Sequence, residues 1–159
     1  MEVQRSIKSV MGDKDRFKLI PSVYLFLEKE GKILLLRRFN TGFEDGNYGL
    51  ASGHAEEKET FQEALKREVL EEIGIIIDIT NLHLVHTMHR SCGDHERVDL
   101  FFTTKEWSGE IKNMEPNKCD RVEWFPLNQL PDNTIDYIVI AINSWQKQIP
   151  YSEFGWERE

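Results

Sequence analysis

Residues 60–74 read TFQEALKREVLEEIG, and this stretch limits the possible folds of the chain more than any other. Phe61, Ala64, Leu65, Val69 and Ile73 recur at three- and four-residue intervals, so a 3.6-residue period gathers them into one core-facing stripe. Thr60 stands where an N-cap belongs, Glu63 follows three residues later to complete a capping box, and Gly74 stands where a C-terminal glycine cap belongs. A helix over 60–73 is predicted. Its polar face is crowded: at about 100° per residue, Glu68, Glu71 and Glu72 fall within an arc of about 100°. Carboxylates that close repel by roughly 1–4 kcal/mol per pair, and the C-terminal end of a helix disfavours negative charge. A purely structural helix gains nothing from this arrangement. A divalent cation would reverse the sign of each contribution, and oxygen-only donors point to Mg²⁺, with Mn²⁺ as the alternative, rather than to zinc.

Strands are expected around this helix. Residues 17–28 and 32–38 are rich in apolar side chains, and Glu30-Gly31 between them reads as a hairpin turn. Residues 39–47 carry Asn40, Gly42, Asp45, Gly46 and Asn47 and read as a loop, followed by a short strand at 48–51. Further strands are expected at 75–79, 82–89, 98–104 and 121–125, and a second helix at about 133–148 with Ile135, Ile138, Val139, Ile142 and Trp145 facing inward. The order of elements gives an α/β (α+β mixed) class, a mixed β-sheet flanked by helices. No repeat, linker or low-complexity tract interrupts the chain, so one domain over 1–159 with its core at about 17–147 is expected. The tail at 151–159 offers no pattern, though Tyr151, Phe154 and Trp156 can pack on the domain or on another subunit.

Charge and cysteine content narrow the possible functions. A net charge of −8 argues against a protein that coats duplex nucleic acid, which needs a basic stripe to displace counterions. It leaves a small anionic substrate open, because a bound cation inverts the local field. Cys92 and Cys119 are too few and too far apart for a disulfide framework or a four-thiolate zinc site. Two free thiols, no signal-like apolar stretch at 1–18 and no run long enough for a membrane span together imply a cytoplasmic protein with no membrane partner.

Gly53, Glu59, Arg67, Glu68, Glu71, Glu72 and Gly74, with Val69 and Ile75 at aliphatic positions, resemble the Nudix box G-x5-E-x7-R-E-U-x-E-E-x-G-U at every specified position. The approach Tyr48-Gly49-Leu50-Ala51-Ser52-Gly53-His54 and the preceding Arg37-Arg38 are similar to the MutT-like branch. So are Trp107-Ser108-Gly109-Glu110, Glu115-Pro116 and Glu123-Trp124-Phe125 downstream. Two positions depart from the pattern. Ala51-Ser52 stands where many members have Pro-Gly, and Lys58 stands where a glycine usually precedes the first glutamate.

The resemblance implies a Nudix-type mixed sheet sandwiched between helices and Mg²⁺-dependent cleavage of a nucleoside diphosphate linked to X. In the MutT-like reading the substrate is a nucleoside triphosphate, and the products are a monophosphate and pyrophosphate. Alternatives are a nucleotide sugar of the ADP-ribose type, a capped RNA end, or a non-catalytic ligand sensor. The implied metal ligands are Glu68, Glu71, Glu72 and the carbonyl at or beside Gly53. Arg67 is expected to pair with Glu71 and orient a ligand, and Glu59 to help hold the loop–helix–loop unit together. The general base is Glu68 or Glu115, with Glu115 also a candidate additional ligand. Arg37, Arg38 and Arg90 are candidates for phosphate contacts and His89 for lining the substrate pocket. His83, His86 and His89 are spaced by three, which alternates their faces in a strand and argues against a joint metal site. The family implies a monomer or a homodimer.

Overall fold

The computed structural model of the chain describes residues 16–157. The signal-peptide reading at 1–18 lies outside the described residues up to residue 15, as do the last two residues of the tail. The strands are β1 (Ile20–Lys29), β2 (Lys32–Arg38), β3 (Tyr48–Gly49), β4 (Ser52–His54), β5 (His83–Ser91), β6 (Glu96–Thr104), β7 (Cys119–Pro126) and β8 (Tyr151–Phe154). Two helices, α1 (Phe61–Ile73) and α2 (Asp136–Gln146), complete the fold. The strands form one eight-stranded mixed sheet, ordered β3-β2-β1-β6-β5-β8, with β4 on β1 and β7 on β2. The β1–β6 and β5–β8 pairs are parallel and the rest antiparallel.

Alternation along the strands builds two separate apolar layers. Val23, Leu25 and Leu27 of β1 pack with Ala64, Leu65, Val69 and Ile73 of α1. Tyr24 and Phe26 pack on the other side with Ile138, Ala141 and Ile142 of α2. The period of two in a strand sends neighbouring residues to opposite faces, so one strand serves both helices. The sheet is therefore sandwiched between helices, as the sequence predicts.

α1 begins and ends as its sequence requires. Thr60 accepts from the Glu63 amide while the Glu63 side chain accepts from the Thr60 amide, and Gly74 takes φ 74° at the C-cap. Phe61 departs from the expected stripe: it lies at the first helical position and is exposed.

Three other elements differ from their sequence pattern. Residues 75–79 do not form a ladder strand, although Ile75 and Ile77 are buried and Ile76 is exposed. They make one isolated bridge, Ile76 with Ser108, before Asp78 caps a 3-10 turn at Ile79–Asn81 through the Thr80 amide. Extended alternation marks which side chains are buried, not whether a partner strand is present. α2 starts later than predicted because the preceding residues pair elsewhere: the Tyr48 amide donates to the Asn133 carbonyl, and the Ile135 amide to the Tyr48 carbonyl. The tail supplies β8, whose register on β5 runs from Thr87 with Tyr151 to Arg90 with Phe154. A four-residue strand is too short to show a period of its own.

β1 and β2 pair only near their shared turn, at Glu28–Ile33 and Lys29–Lys32, and then part. β4 takes the vacated edge of β1 at Ser22–His54, Val23–Gly53 and Tyr24–Ser52. The functional cavity opens beside this split.

Lys58 stands at φ 69°, in the left-handed region where a Cβ is strained and glycine is favoured. Lys58→Gly is expected to stabilise the fold by about 0.5–1 kcal/mol, the relief of strain exceeding the added freedom of the unfolded chain. Thermal melting would register a rise of roughly 1–3 °C, and a lower melting temperature would refute the strain argument.

Candidate active site

α1 lies with its acidic face against β4. Gly53 is the point of closest approach: a Cβ at this position would collide with the carboxyl group of Glu68, so only glycine admits that side chain. One residue earlier, the Ser52 amide donates to Glu72 Oε2 at 3.0 Å. The Ala51-Ser52 departure therefore keeps the backbone donor that this contact uses, and the Ala51 carbonyl accepts from the Leu25 amide at 3.0 Å.

Arg67 ties the loop to the helix, though not chiefly through Glu71 as its four-residue spacing suggests. Its main partner is Glu59, reached by Nη2 at 2.7 Å and Nε at 3.1 Å. Nη1 donates to Glu68 at 2.8 Å, Nη2 reaches the His54 carbonyl at 3.1 Å, and Glu71 is 3.6 Å away. The expected holding role of Glu59 thus has a direct geometric basis, a forked pair with a guanidinium.

Burial is the largest influence on both inner glutamates. It pushes Glu72 up to about 8, against its Ser52 hydrogen bond, with Glu68 and Glu115 adding repulsion. Glu68 is also raised, first by burial, while Arg67 pulls it down and Glu71 and Glu115 push it up. These side chains are oxygen donors held partly out of water beside a carbonyl-bearing strand, a donor set that suits a hard divalent cation. Among the described residues no three His, Cys, Asp or Glu side chains are gathered closely enough to hold a metal ion as they stand. Glu68, Glu72, the more exposed Glu71 and the Gly53 backbone fit as the residues that would hold such an ion.

A cavity of about 780 Å³ opens beside these glutamates. Of the predicted site residues, Arg37, Arg38, Gly53, Arg67, Glu68, Glu71, Glu72, Arg90 and Glu115 all line it. Glu115 comes from the loop before β7 and pairs with Lys118 at 3.4 Å. Arg37 is engaged in a forked pair with Asp120 at 2.6 and 2.7 Å, whereas Arg38 lies over the Phe43 ring and donates to the Phe43 carbonyl at 2.7 Å. Arg90 is buried, pairs with Asp99 at 2.6 Å and stacks over the Tyr137 ring at 3.9 Å.

His89 is not among the cavity-lining residues. Strand alternation carries Met88 and Arg90 to the α2 face and His89 to the other, where it pairs with Glu96 at 2.9 Å and meets the Trp156 ring. The three histidines of β5 do separate, as predicted: His86 is buried against the Ile149 carbonyl and Ser152, while His83 is exposed. The sequence reading also missed Glu56, Tyr24, His54, His95, Arg97 and Tyr137, which all line the cavity. Only the β5–β6 register would have flagged Arg97, since it stands directly opposite Arg90.

Comparison with known proteins shows the family. The NUDIX domain family matches residues 18–141. An ADP-ribose pyrophosphatase of Methanocaldococcus jannaschii is 33% identical over 140 residues, covering 84% of this chain and 81% of its own length. An 8-oxo-dGTP diphosphatase of Proteus vulgaris is 30% identical over 97 residues, covering 61% of this chain and 85% of its own. A MutT NUDIX hydrolase from Burkholderia pseudomallei superimposes with a TM-score of 0.73 at 25% identity, over 79% of this chain and 97% of that one. The chain belongs to the Nudix hydrolases, enzymes that act on nucleotide pyrophosphate bonds and typically depend on divalent metal ions. Among the described residues, no helix is long and apolar enough to cross a membrane.

Two outcomes follow from the contact between α1 and β4. Gly53→Ala is expected to lower turnover roughly 10–100-fold by displacing Glu68, with a folded circular-dichroism spectrum retained; near-normal turnover would show that the close approach is dispensable. Glu72 supplies the second. With its value raised from 4.5 to about 8, the folded chain keeps a proton that the unfolded chain has released, so stability falls as pH rises across that window. In chelator, melting temperature followed from pH 5 to pH 8 is expected to decline less in Glu72→Gln than in the parent. Parallel profiles would contradict the assignment.

Proposed function

We propose that the chain is a Mg²⁺-dependent pyrophosphohydrolase of nucleoside triphosphates, releasing a nucleoside monophosphate and pyrophosphate. The observation that carries this reading is the pairing of one acidic wall with one cationic wall in a single cavity. Glu68, Glu71 and Glu72 form the first, and Arg37, Arg38, Arg90, Arg97 and Lys118 contribute to the second. A chain of phosphates needs both: a hard cation at the cleaved linkage and guanidinium or ammonium groups along the rest.

Glu68, Glu71, Glu72 and the Gly53 backbone would hold the divalent ion, which would supply charge neutralisation at the diphosphate and Lewis acidity for attack by water. The protein's own residues do the positioning. Arg67 and the Ser52 amide hold Glu68 and Glu72 in place, so that little reorganisation is needed when the phosphates arrive. Glu68 and Glu115 are the two candidates for accepting the proton of the attacking water. Both line the cavity, and burial raises Glu68 toward the range in which a carboxylate serves as a base. Phe43, exposed at the cavity rim, offers an aromatic surface for a nucleobase.

A second reading, hydrolysis of a nucleotide sugar of the ADP-ribose type, is favoured by the extent of the likeness to the Methanocaldococcus jannaschii enzyme. The α1 glutamates handle the diphosphate common to both substrate classes, so they do not separate the two. A Mg²⁺-dependent hydrolysis screen over nucleoside triphosphates, ADP-ribose and other nucleotide sugars, and dinucleoside polyphosphates tests the choice. The triphosphates are expected to give the highest kcat/KM, and Glu72→Gln to lose at least about 100-fold in turnover while staying folded. A clear preference for ADP-ribose would transfer the assignment to the second reading.

A further inference from the structure

Arg90 and Arg97 stand directly opposite each other on β5 and β6. Like charges in that position repel, and the sheet neutralises only one of them: Asp99 pairs with Arg90 at 2.6 Å. Arg97 forms no ion pair among the described residues. Neutral groups hold it instead. Nε donates to His95 Nε2 at 3.1 Å, and Nη1 donates to Ser22 Oγ at 3.2 Å and to His54 Nε2 at 2.9 Å.

The histidine tautomers follow from these bonds. His95 Nδ1 lies 2.6 Å from Asp94 Oδ1, which keeps the proton on Nδ1 and leaves Nε2 free to accept from Arg97. His54 Nε2 likewise accepts. A guanidinium carries five N–H groups, and this network engages Nε and Nη1 only. Nη2, with two N–H groups, has no hydrogen-bond partner among the described residues and is not buried, and Arg97 is one of the residues that line the cavity. A cation oriented from two sides, with one donor pair left over, is arranged to receive an anion.

Its position relative to the glutamates is set by the sheet. Gly53, against which Glu68 lies, is followed directly by His54, and β1 separates β4 from β6. Strands are spaced by about 4.8 Å, so the β6 backbone runs about 10 Å from β4. The Arg97 side chain bridges back across that interval to His54. The guanidinium therefore lines the same cavity as the glutamates, from a strand two places away in the sheet.

We propose that Arg97, oriented by Ser22, His54 and His95, forms an anion subsite that binds a phosphate of the substrate beyond the two joined at the cleaved bond. This rests on the triphosphate reading for the identity of that phosphate, but not for the existence of the subsite. Arg97 acts here as a specificity-determining residue: a nucleoside triphosphate fills the subsite, whereas the neutral ribose of ADP-ribose does not.

Binding of inorganic tripolyphosphate, measured by calorimetry in chelator, tests the subsite without turnover. Arg97→Gln is expected to bind at least about ten-fold more weakly than the parent, and Arg97→Lys to recover part of the loss. Unchanged binding by Arg97→Gln, in a variant whose melting temperature shows it folded, would overturn the proposal. Kinetics then place the phosphate. Arg97→Gln is expected to raise KM for a nucleoside triphosphate about ten-fold with kcat within about two-fold, leaving both parameters for ADP-ribose nearly unchanged. Equal increases for both substrates would overturn the position beyond the cleaved bond. If triphosphates are not hydrolysed at all, the proposed function falls, and the tripolyphosphate result still decides whether Arg97 binds an anion.

Discussion

When α1 lies against β4, Glu68 and Glu72 lose hydration while remaining close to each other and to Glu115. Both effects disfavour ionised carboxylates, and the surrounding structure is arranged to offset them. Gly53 omits a side chain so that Glu68 can enter, the Ser52 amide meets Glu72, and Arg67 brings a positive charge held by Glu59. The helix accepts this because its opposite face buries Ala64, Leu65, Val69 and Ile73 completely. Fully burying a branched aliphatic side chain contributes about 1.5–3 kcal/mol, so the apolar stripe is large enough to hold an unfavourable acidic face in place.

The cavity exists because β1 serves two partners in succession. It leaves β2 soon after their turn and takes up β4, and this brings the ends of β2, β4 and β6 to one rim. The same strand sends Val23 and Leu25 to the α1 layer and Tyr24 to the α2 layer. Acidic groups from one helix thus meet a floor of Tyr24, Arg90 and Tyr137 on the other face. That floor is internally satisfied: Tyr24 donates to Asp99, Arg90 pairs with Asp99, and Burial and the neighbouring Tyr137 raise the Tyr24 hydroxyl well above its usual range, keeping it neutral.

Much of this was legible in the residues alone. The α1 caps, its stripe apart from Phe61, the β1–β2 turn, the two-helix mixed sheet and the acidic wall follow from local periodicity, caps and spacing, which are properties of short segments. Long-range geometry escaped. Arg67 pairs mainly with Glu59, eight residues away through a loop, because the turn before α1 folds back; helical spacing points only to Glu71. The parity of β5, on which the placement of Arg90 in the cavity and His89 outside it depends, needs a register no single strand carries. β8 and the Arg97 cluster likewise arise from pairings between segments distant in the chain.

The sequence by itself determined the crowded acidic helix face, capped at both ends and preceded by a glycine, an arrangement of oxygen donors that suits a hard cation. Tertiary structure decided what surrounds that chemistry. Which arginines face the cavity and which of them are left without a carboxylate depend on sheet order and register. These are set by the burial of two apolar layers at once, a constraint that acts on the whole chain and leaves no mark within any one segment.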